Sequence, residues 1–347
     1  MAVDAAFAQR LPKIELHAHL TGSISRGTLH DIWRIKKDED PSLALPDPLV
    51  AIPPGVVIDL NTFFPLFSSY IYQLCSDLPS IEFSTKRVLS DFQADGVVYL
   101  ELRTTPRASP AHNISKDLYV STVLSILRSH NADPANTLHA TLILSIDRRN
   151  SLPEAHDTVD LALKHRPFGV VGVDLCGDPA VSGIAKFAPA FQRAKEAGLG
   201  ITLHFAEATA SATDEELREL LRWQPGRIGH VIHVKEEIKD EIVKQGVGVE
   251  LCLSCNVQLK MHGDGGYEGH HFGWWRGAGV GVALSTDDVG VFESPLSEEY
   301  RLAAEHFELT KDDVRKLCEG AVETIFGSEA EKERLRVMYR EWDGWTG

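Results

Sequence analysis

Eight short apolar runs, rich in Val, Ile and Leu and bounded by turn residues, recur along this chain of 347 residues and restrict what it can fold into. The first four are KIELHAHL (13–20), VVYLELR (97–103), LHATLILSID (138–147) and GVVGVDL (169–175). The second half holds GITLHFA (200–206), RIGHVIH (227–233), GVGVELCL (246–253) and GVGVALS (279–285). Runs this short and this continuous in branched side chains are expected as strands buried on both faces, which is the pattern of a parallel sheet. Helical stretches separate most of them. SKDLYVSTVLSILRSH (115–130) opens on Ser115 as an N-cap, SGIAKFAPAFQRAKEAG (182–198) stops at Gly198, and TDEELRELLRW (213–223) has Thr213 and an acidic first turn. Strand and helix alternating eight times close most simply as an α/β (β/α)8 TIM barrel. A prior of ~150 residues per domain would divide the chain in two, but barrels of this type commonly exceed ~250 residues as one unit. A single barrel domain over 1–347 is therefore expected.

Two segments exceed a minimal barrel. Residues 21–96 form a helical insertion between the first and second strands, in which Leu60, Phe63, Phe64, Phe67, Ile71 and Leu74 recur at helical spacing. Such a stripe faces a core or forms a lid over a flat ligand. After the last strand, LSEEYRLAAEHF, DDVRKLCEGAVETIF and EAEKERLRVMYREW predict extra C-terminal helices within 296–343.

Composition excludes several classes of function. Thirty-five Lys and Arg stand against 50 Asp and Glu, a formal net charge of −15, which argues against a nucleic-acid polymer as partner. A single nucleotide in a pocket remains compatible. No apolar run reaches the ~18 residues of a membrane span, so no membrane partner is expected. The N-terminal MAVDAAFAQRLPKIE lacks the basic start and apolar stretch of a secretory signal, and five cysteines do not make a disulfide framework. A monomer in the reducing cytoplasm is the expectation.

Active sites of such barrels lie at the C-terminal ends of the strands. The first strand ends in His17 and His19, which alternation places on one face. The fifth ends in His204 followed by Glu207, the sixth carries His230, and the eighth leads into Asp287 and Asp288. Three imidazoles and a carboxylate suit a catalytic Zn2+ with one position open to water. One H-x-H alone carries little weight, because a single buried histidine is more often a satisfied core residue. Its concurrence with histidines and carboxylates at three other strand ends is what points to a metal.

ELHAHL (15–20), DLCGD (174–178), LHFAE (203–207), RIGHVIH (227–233) and STDD (285–288) together resemble the adenosine/AMP deaminase family of metal-dependent hydrolase barrels, in order and spacing over almost the whole chain. ELHAHLTGSIS (15–25), YLELRTTPR (99–107), DRR (147–149), HHFGWW (270–275) and STDDVGVFESPLSEEYRLAAEHFELT (285–310) resemble the adenosine deaminase-like group within it, which acts on N6-methyl-AMP. The resemblance implies a zinc-dependent hydrolysis at C6 of a purine nucleoside monophosphate, N6-methyl-AMP to IMP and methylamine. Adenosine or adenine as substrate, or an inactive nucleoside-binding protein, are the alternatives. It implies one Zn2+ per chain on His17, His19, His204 and Asp287. Glu207 would give a proton to purine N1, His230 would orient or deprotonate the attacking water, and Asp288 would hold substrate and nucleophile. His19 would also border the substrate, and Gly177 would offer its backbone N–H to the purine.

A 5′-phosphate needs local donors. Arg103, Thr104, Thr105, Pro106 and Arg107 follow the second strand at the active-site end, where hydroxyls and a guanidinium fork can grip a dianion. The competing assignment is a surface salt bridge for Arg107 and capping threonines. Asp147 ends the third strand and can accept from ribose hydroxyls, or else pair with Arg148 or Arg149. Three departures from the family pattern stand out. His204-Phe205-Ala206-Glu207 replaces the usual His-Ala-Gly-Glu, Thr21 stands where the deaminase-like group has Asn, and Tyr72 is the nearest counterpart of its lid histidine. Thr21 is kept as a candidate substrate contact. Cys252 and Cys255 form one C-x-x-C, expected as buried free thiols on a strand followed by a loop. MHGDGGYEGHH (261–271) is expected as a loop near the site mouth, with no role assigned to His270 or His271.

Overall fold

The computed structural model describes residues 3–52 and 60–345, and the side chains of residues 60 and 61 are not described. The part of the insertion at 53–59, and the side chain of Leu60 in the helical stripe, therefore lie outside the described residues.

The eight apolar runs become eight strands. They are β1 (Lys13–His19), β2 (Val97–Thr104), β3 (His139–Asp147), β4 (Val170–Cys176), β5 (Gly200–Phe205), β6 (Arg227–His230), β7 (Gly248–Leu251) and β8 (Val282–Leu284). Each pairs in parallel with the next in sequence order. A parallel bridge between Ala18 and Asp287 closes the ring, with His19 N donating to Asp287 O at 2.9 Å and Asp287 N to His17 O at 2.8 Å. The fold is thus the expected TIM barrel, and its closure joins the first and last sequence motifs.

Three strands are shorter than their apolar runs by three residues or more. His230 and Val231 take φ of 63° and 56°, which ends β6 before the run ends. Gly246 and Gly279, at φ 68° and 80°, delay β7 and β8. Left-handed backbone cannot continue a ladder, whatever the hydrophobicity of the side chains.

The lower barrel is filled by ions as well as apolar groups. Arg227 Nε and Nη2 donate to Glu250 Oε1 and Glu101 Oε2, both at 2.6 Å, and Arg103 Nη2 donates to Glu250 Oε2 at 2.8 Å. All four side chains are fully buried, so each charge needs its partner to be tolerated there. Phe326 covers the same end, its ring centroid 3.6 Å from the Arg227 guanidinium carbon.

The three C-terminal helices form at Leu296–Phe307, Lys311–Thr324 and Glu329–Glu341. Thr310 and Asp313 make a reciprocal capping box for the second, and Ser328 caps the third. In the insertion, Ser25 caps Arg26–Glu39 and Asp77 caps Leu78–Ala94. The aromatic stripe is an interrupted helix. Leu60–Leu66 contains Pro65, a π turn spans Phe67–Ile71, and Tyr72–Leu74 ends it. Proline removes a backbone donor, and π turns of this kind occur often at functional sites. The stretch at 182–198 begins as a 3-10 turn, Ile184–Phe187, before the helix Ala188–Glu196. Among the described residues no helix is long and apolar enough to cross a membrane.

Candidate active site

Strand alternation and closure bring His17, His19, His204 and Asp287 to one point. One ligand atom from each lies within 4.8 Å of all the others. His19 Nε2 is 3.1 Å from His204 Nε2, and Asp287 Oδ1 is 3.5 Å from His17 Nε2 and 3.4 Å from His19 Nε2. Tetrahedral ligands at ~2.0–2.1 Å from a Zn2+ stand about 3.3 Å apart, so the donor set has the spacing of a metal site. His17 Nε2 is buried without a hydrogen-bond partner among the described residues, which a metal would remedy.

The opposite nitrogens are held from behind. His17 Nδ1 lies 2.7 Å from Glu250 Oε2, and His204 Nδ1 lies 3.1 Å from Asp174 Oδ1. Burial alone would raise the Glu250 carboxyl, but Arg103, Arg227 and His17 hold it well below the usual range. Burial opposes ionisation of Asp174 too, and His204 and Arg103 outweigh it. Two carboxylates therefore accept the Nδ1 protons and turn both Nε2 lone pairs inward. Burial pushes His19 well below the ordinary imidazole value against the pull of Asp287, which leaves its ring neutral. Burial would also raise Asp287, but the imidazoles of His17, His230 and His19 around it hold it well down. Asp288 goes the other way, pushed well up by burial and by the Asp287 and Glu207 carboxylates.

The other expected residues gather above this cluster. His19, Thr21, Thr104, Thr105, Arg107, Asp147, Gly177, Glu207 and Asp288 line one cavity together with His204 and Asp287. His230 is fully buried and stands outside the lining, with Nε2 3.9 Å from both Glu207 Oε1 and Asp287 Oδ2. Pro106 is buried and stands outside the lining. Arg103, grouped with it in sequence, lines the cavity and also joins the barrel ion network through Glu250 and Asp174. Thr104 is nearly buried, with its hydroxyl 2.7 Å from the Tyr119 hydroxyl. Asp147 carries both possibilities at once. It lines the cavity, and Arg149 donates from Nε to Oδ1 at 2.8 Å and from Nη2 to Oδ2 at 2.6 Å.

Local backbone explains several residue choices. Ala206, His230, Val231 and Asp287 all have φ between 50° and 63°. For Val231 this is strained, and hydrogen bonds from its N to Phe205 O and Gly229 O, both 2.9 Å, fix it. Ala206 occupies the position where the family pattern has Gly, and its φ of 50° shows why glycine suits it. An alanine there costs about 1–2 kcal/mol. Gly177, at φ 98°, sits against Asp147, and a Cβ would lie 2.8 Å from its carboxylate. A Cβ at Gly22 would meet Asp288 Oδ1 at 1.4 Å.

Three features lie outside the expected site residues. Tyr72 lines the cavity, and the Arg107 guanidinium carbon lies 4.0 Å from its ring centroid and 5.2 Å from that of Tyr119. Cys255 lies in a helix, Leu253–Gln258, and not in the loop expected after the seventh strand, and its Sγ donates to Asp287 Oδ2 at 2.9 Å. The helix can start at once because Cys252 serves as its N-cap residue and Glu299 accepts the Ser254 N–H at 3.1 Å. Asn256, on the same helix, stands between His230 and His270.

The comparisons with known proteins agree with this geometry. The adenosine deaminase family model matches residues 12–342. The N6-methyl-AMP deaminase of Danio rerio is 37% identical over 344 residues, covering 96% of each chain. The crystal structure of the Arabidopsis N6-mAMP deaminase superposes with a TM-score of 0.89 at 36% identity, covering 97% of this chain and 100% of that one. A further Arabidopsis structure, of ADAL complexed with IMP, has a TM-score of 0.88 at 36% identity, covering 96% and 97%. With matches of this length and a metal-type donor set at the strand ends, the chain belongs to the adenosine deaminase family of hydrolytic deaminases.

Proposed function

We propose that this protein hydrolyses N6-methyl-AMP, with water, to IMP and methylamine. The observation that carries the reading is one cavity with a metal-type donor set at its floor and Thr105, Arg107 and Asp147 along its wall. The first suits attack at a purine carbon, and the second suits a ribose 5′-phosphate.

His17, His19, His204 and Asp287 would hold one Zn2+. Bound there, the metal supplies a Lewis acid that makes water nucleophilic at neutral pH. Glu207 gives its proton to purine N1, which draws electrons from C6 and opens it to attack. Asp288 holds the attacking oxygen and the purine through hydrogen bonds, and His230 faces the same oxygen. The Gly177 N–H positions the base. Asp147 accepts from the ribose hydroxyls, and its oxygens have lone pairs enough to keep Arg149 as well. Thr21, Thr104, Thr105 and Arg107 form the phosphate end, with Pro106 shaping the chain between the last two. As the C6–N6 bond breaks, one proton of the water leaves with the amine and the other restores Glu207, while the purine retains the oxygen at C6.

The interrupted helix carrying Phe63, Phe64, Phe67 and Tyr72 borders the same cavity, and in this reading it is a lid belonging to a single barrel domain. All the proposed groups come from one chain, as a monomer requires. Five buried free cysteines accord with a reducing cytoplasmic setting. The test is an assay of AMP, N6-methyl-AMP, adenosine and adenine side by side. N6-methyl-AMP should have the highest kcat/KM; a preference for either unphosphorylated compound would overturn the reading.

A further inference from the structure

Behind His230 lies a chain of hydrogen bonds whose protons can be counted. The Asn256 amide stands with Oδ1 3.2 Å from His230 Nδ1 and Nδ2 3.0 Å from His270 Nε2. The Phe272 backbone N–H donates to His270 Nδ1 at 3.1 Å. His270 and Asn256 are both buried. Burial, with His271, His262 and His230 nearby, holds the His270 pKa at about 2, so its ring is neutral.

A neutral imidazole carries one proton. His270 Nδ1 accepts from a backbone N–H, which can only donate. The ring proton is therefore on Nε2, and that N–H must find an acceptor. The Asn256 oxygen is the acceptor within reach, so the amide is turned over, exchanging its two end atoms, to present oxygen to His270 and nitrogen to His230. With the opposite amide orientation, two donors would face a ring that has only one lone pair to offer, leaving a buried clash of protons. Oxygen and nitrogen of an amide have nearly the same shape, so the network decides between them. An Asn256 N–H then points at His230 Nδ1, which must accept. The His230 proton is left on Nε2, the atom that lies 3.9 Å from two carboxylates, Glu207 and Asp287.

We propose that Asn256 and His270 hold His230 in the tautomer protonated on Nε2, so that His230 donates a hydrogen bond to the attacking oxygen and does not remove its proton. The assignment rests on the reading of the site given above, and it narrows the role of His230 from two options to one. A ring with hydrogen on Nε2 has no lone pair there to take a second proton. Asn256 and His270 touch neither substrate nor reacting atoms; they are positioning residues.

The tautomer can be read directly. In zinc-loaded protein labelled with 15N-histidine, long-range proton–nitrogen correlation distinguishes protonated from bare ring nitrogens, and His230→Gln identifies the signals of His230. The expected result is a protonated Nε2 and a bare Nδ1. A protonated Nδ1, alone or together with Nε2, overturns the proposal. Asn256→Asp puts an acceptor-only carboxylate opposite His230 and should move the proton to Nδ1. A wrong tautomer can reduce turnover by as much as ~10⁴, so kcat should fall by ~10² or more with KM within about threefold. His270→Leu, which removes the donor that orients the amide, should give a mixture of tautomers, while His270→Gln should preserve the wild-type pattern. If both Asn256→Asp and His270→Leu fold, bind zinc and leave the pattern unchanged, the relay does not set the tautomer. The spectrum is read without turnover. A protein with the expected tautomer but no deaminase activity would overturn the proposed reaction and leave the relay standing.

Discussion

Arg107 offers the sharpest test of the proposed phosphate site. Its guanidinium carbon stands 4.0 Å from the Tyr72 ring centroid and 5.2 Å from that of Tyr119, and among the described residues it forms no ion pair. Aromatic faces hold the planar group in place without neutralising it. The chain carries −15 overall, so a dianion is repelled at long range and depends on local donors. A hydrogen bond to a charged group contributes about 1.5–3 kcal/mol, which corresponds to one to two decades in affinity. Arg107→Ala should therefore lower kcat/KM for N6-methyl-AMP by ~10- to 100-fold and leave slow turnover of the matching nucleoside nearly unchanged. Arg107→Lys keeps the charge but loses the fork and the stacking, and should restore only part. Tyr72→Leu keeps Arg107 but removes one aromatic face, worth roughly 0.5–2 kcal/mol, so its loss should be ~2- to 30-fold in the same ratio. The assay is the ratio of nucleotide to nucleoside efficiency in each variant. An equal fall for both substrates in Arg107→Ala would make Arg107 a structural residue and refute the argument.

Four further outcomes are expected. Glu207→Gln keeps the shape but has no transferable carboxyl proton, so kcat should fall ~10²–10⁴-fold with metal content unchanged; a variant keeping a tenth of wild-type kcat would assign the proton elsewhere. Elemental analysis should find about one zinc per chain, lost in His204→Ala, and chelation should lower Tm because a ligand bound only by the folded state stabilises it. Gly22→Ala must displace the Asp288 carboxylate, whose Oδ1 a Cβ would meet at 1.4 Å, and misplacement on that scale should cost ~10²-fold in kcat at normal zinc content. Burial, against hydrogen bonds from Ser254 and Ser294, raises Glu299 to about 7. The folded state then binds more protons than the unfolded one between the ordinary Glu value and 7. Its contribution of roughly 3 kcal/mol is complete below the unfolded pKa and is lost as pH rises through 7. Glu299→Gln, which mimics the protonated form, should flatten the decline in Tm between pH 5 and 8; an unchanged slope would refute the assignment.

Much of the candidate site is legible in the sequence. The H-x-H at 17 and 19, the His-x-x-Glu at 204 and 207 and the Asp pair at 287 and 288 are polar residues at the ends of apolar runs, where only function explains them. The phosphate segment is legible in part. Arg103, Thr104, Thr105 and Arg107 line the cavity, Arg103 while also joined to the barrel ion network, and Pro106 stays out of the lining. The Cys255 helix reads as a loop in the sequence because its N-terminal support, Glu299, comes from a C-terminal helix more than forty residues later.

The sequence by itself determined the alternation of strands and helices and the existence of the eight strands, because hydrophobic period and turn chemistry act over a few neighbouring residues. Tertiary structure alone decided which groups meet. Closure through Ala18 and Asp287 joins motifs some 270 positions apart, and it places Glu250 and Asp174 behind His17 and His204. Glu250 in an apolar run, like Asn256 and His270 beyond it, shows no local sign of its role. A buried polar side chain must find its partner wherever the fold brings one, and that partner comes from another strand or helix, at a distance in sequence that no local pattern records.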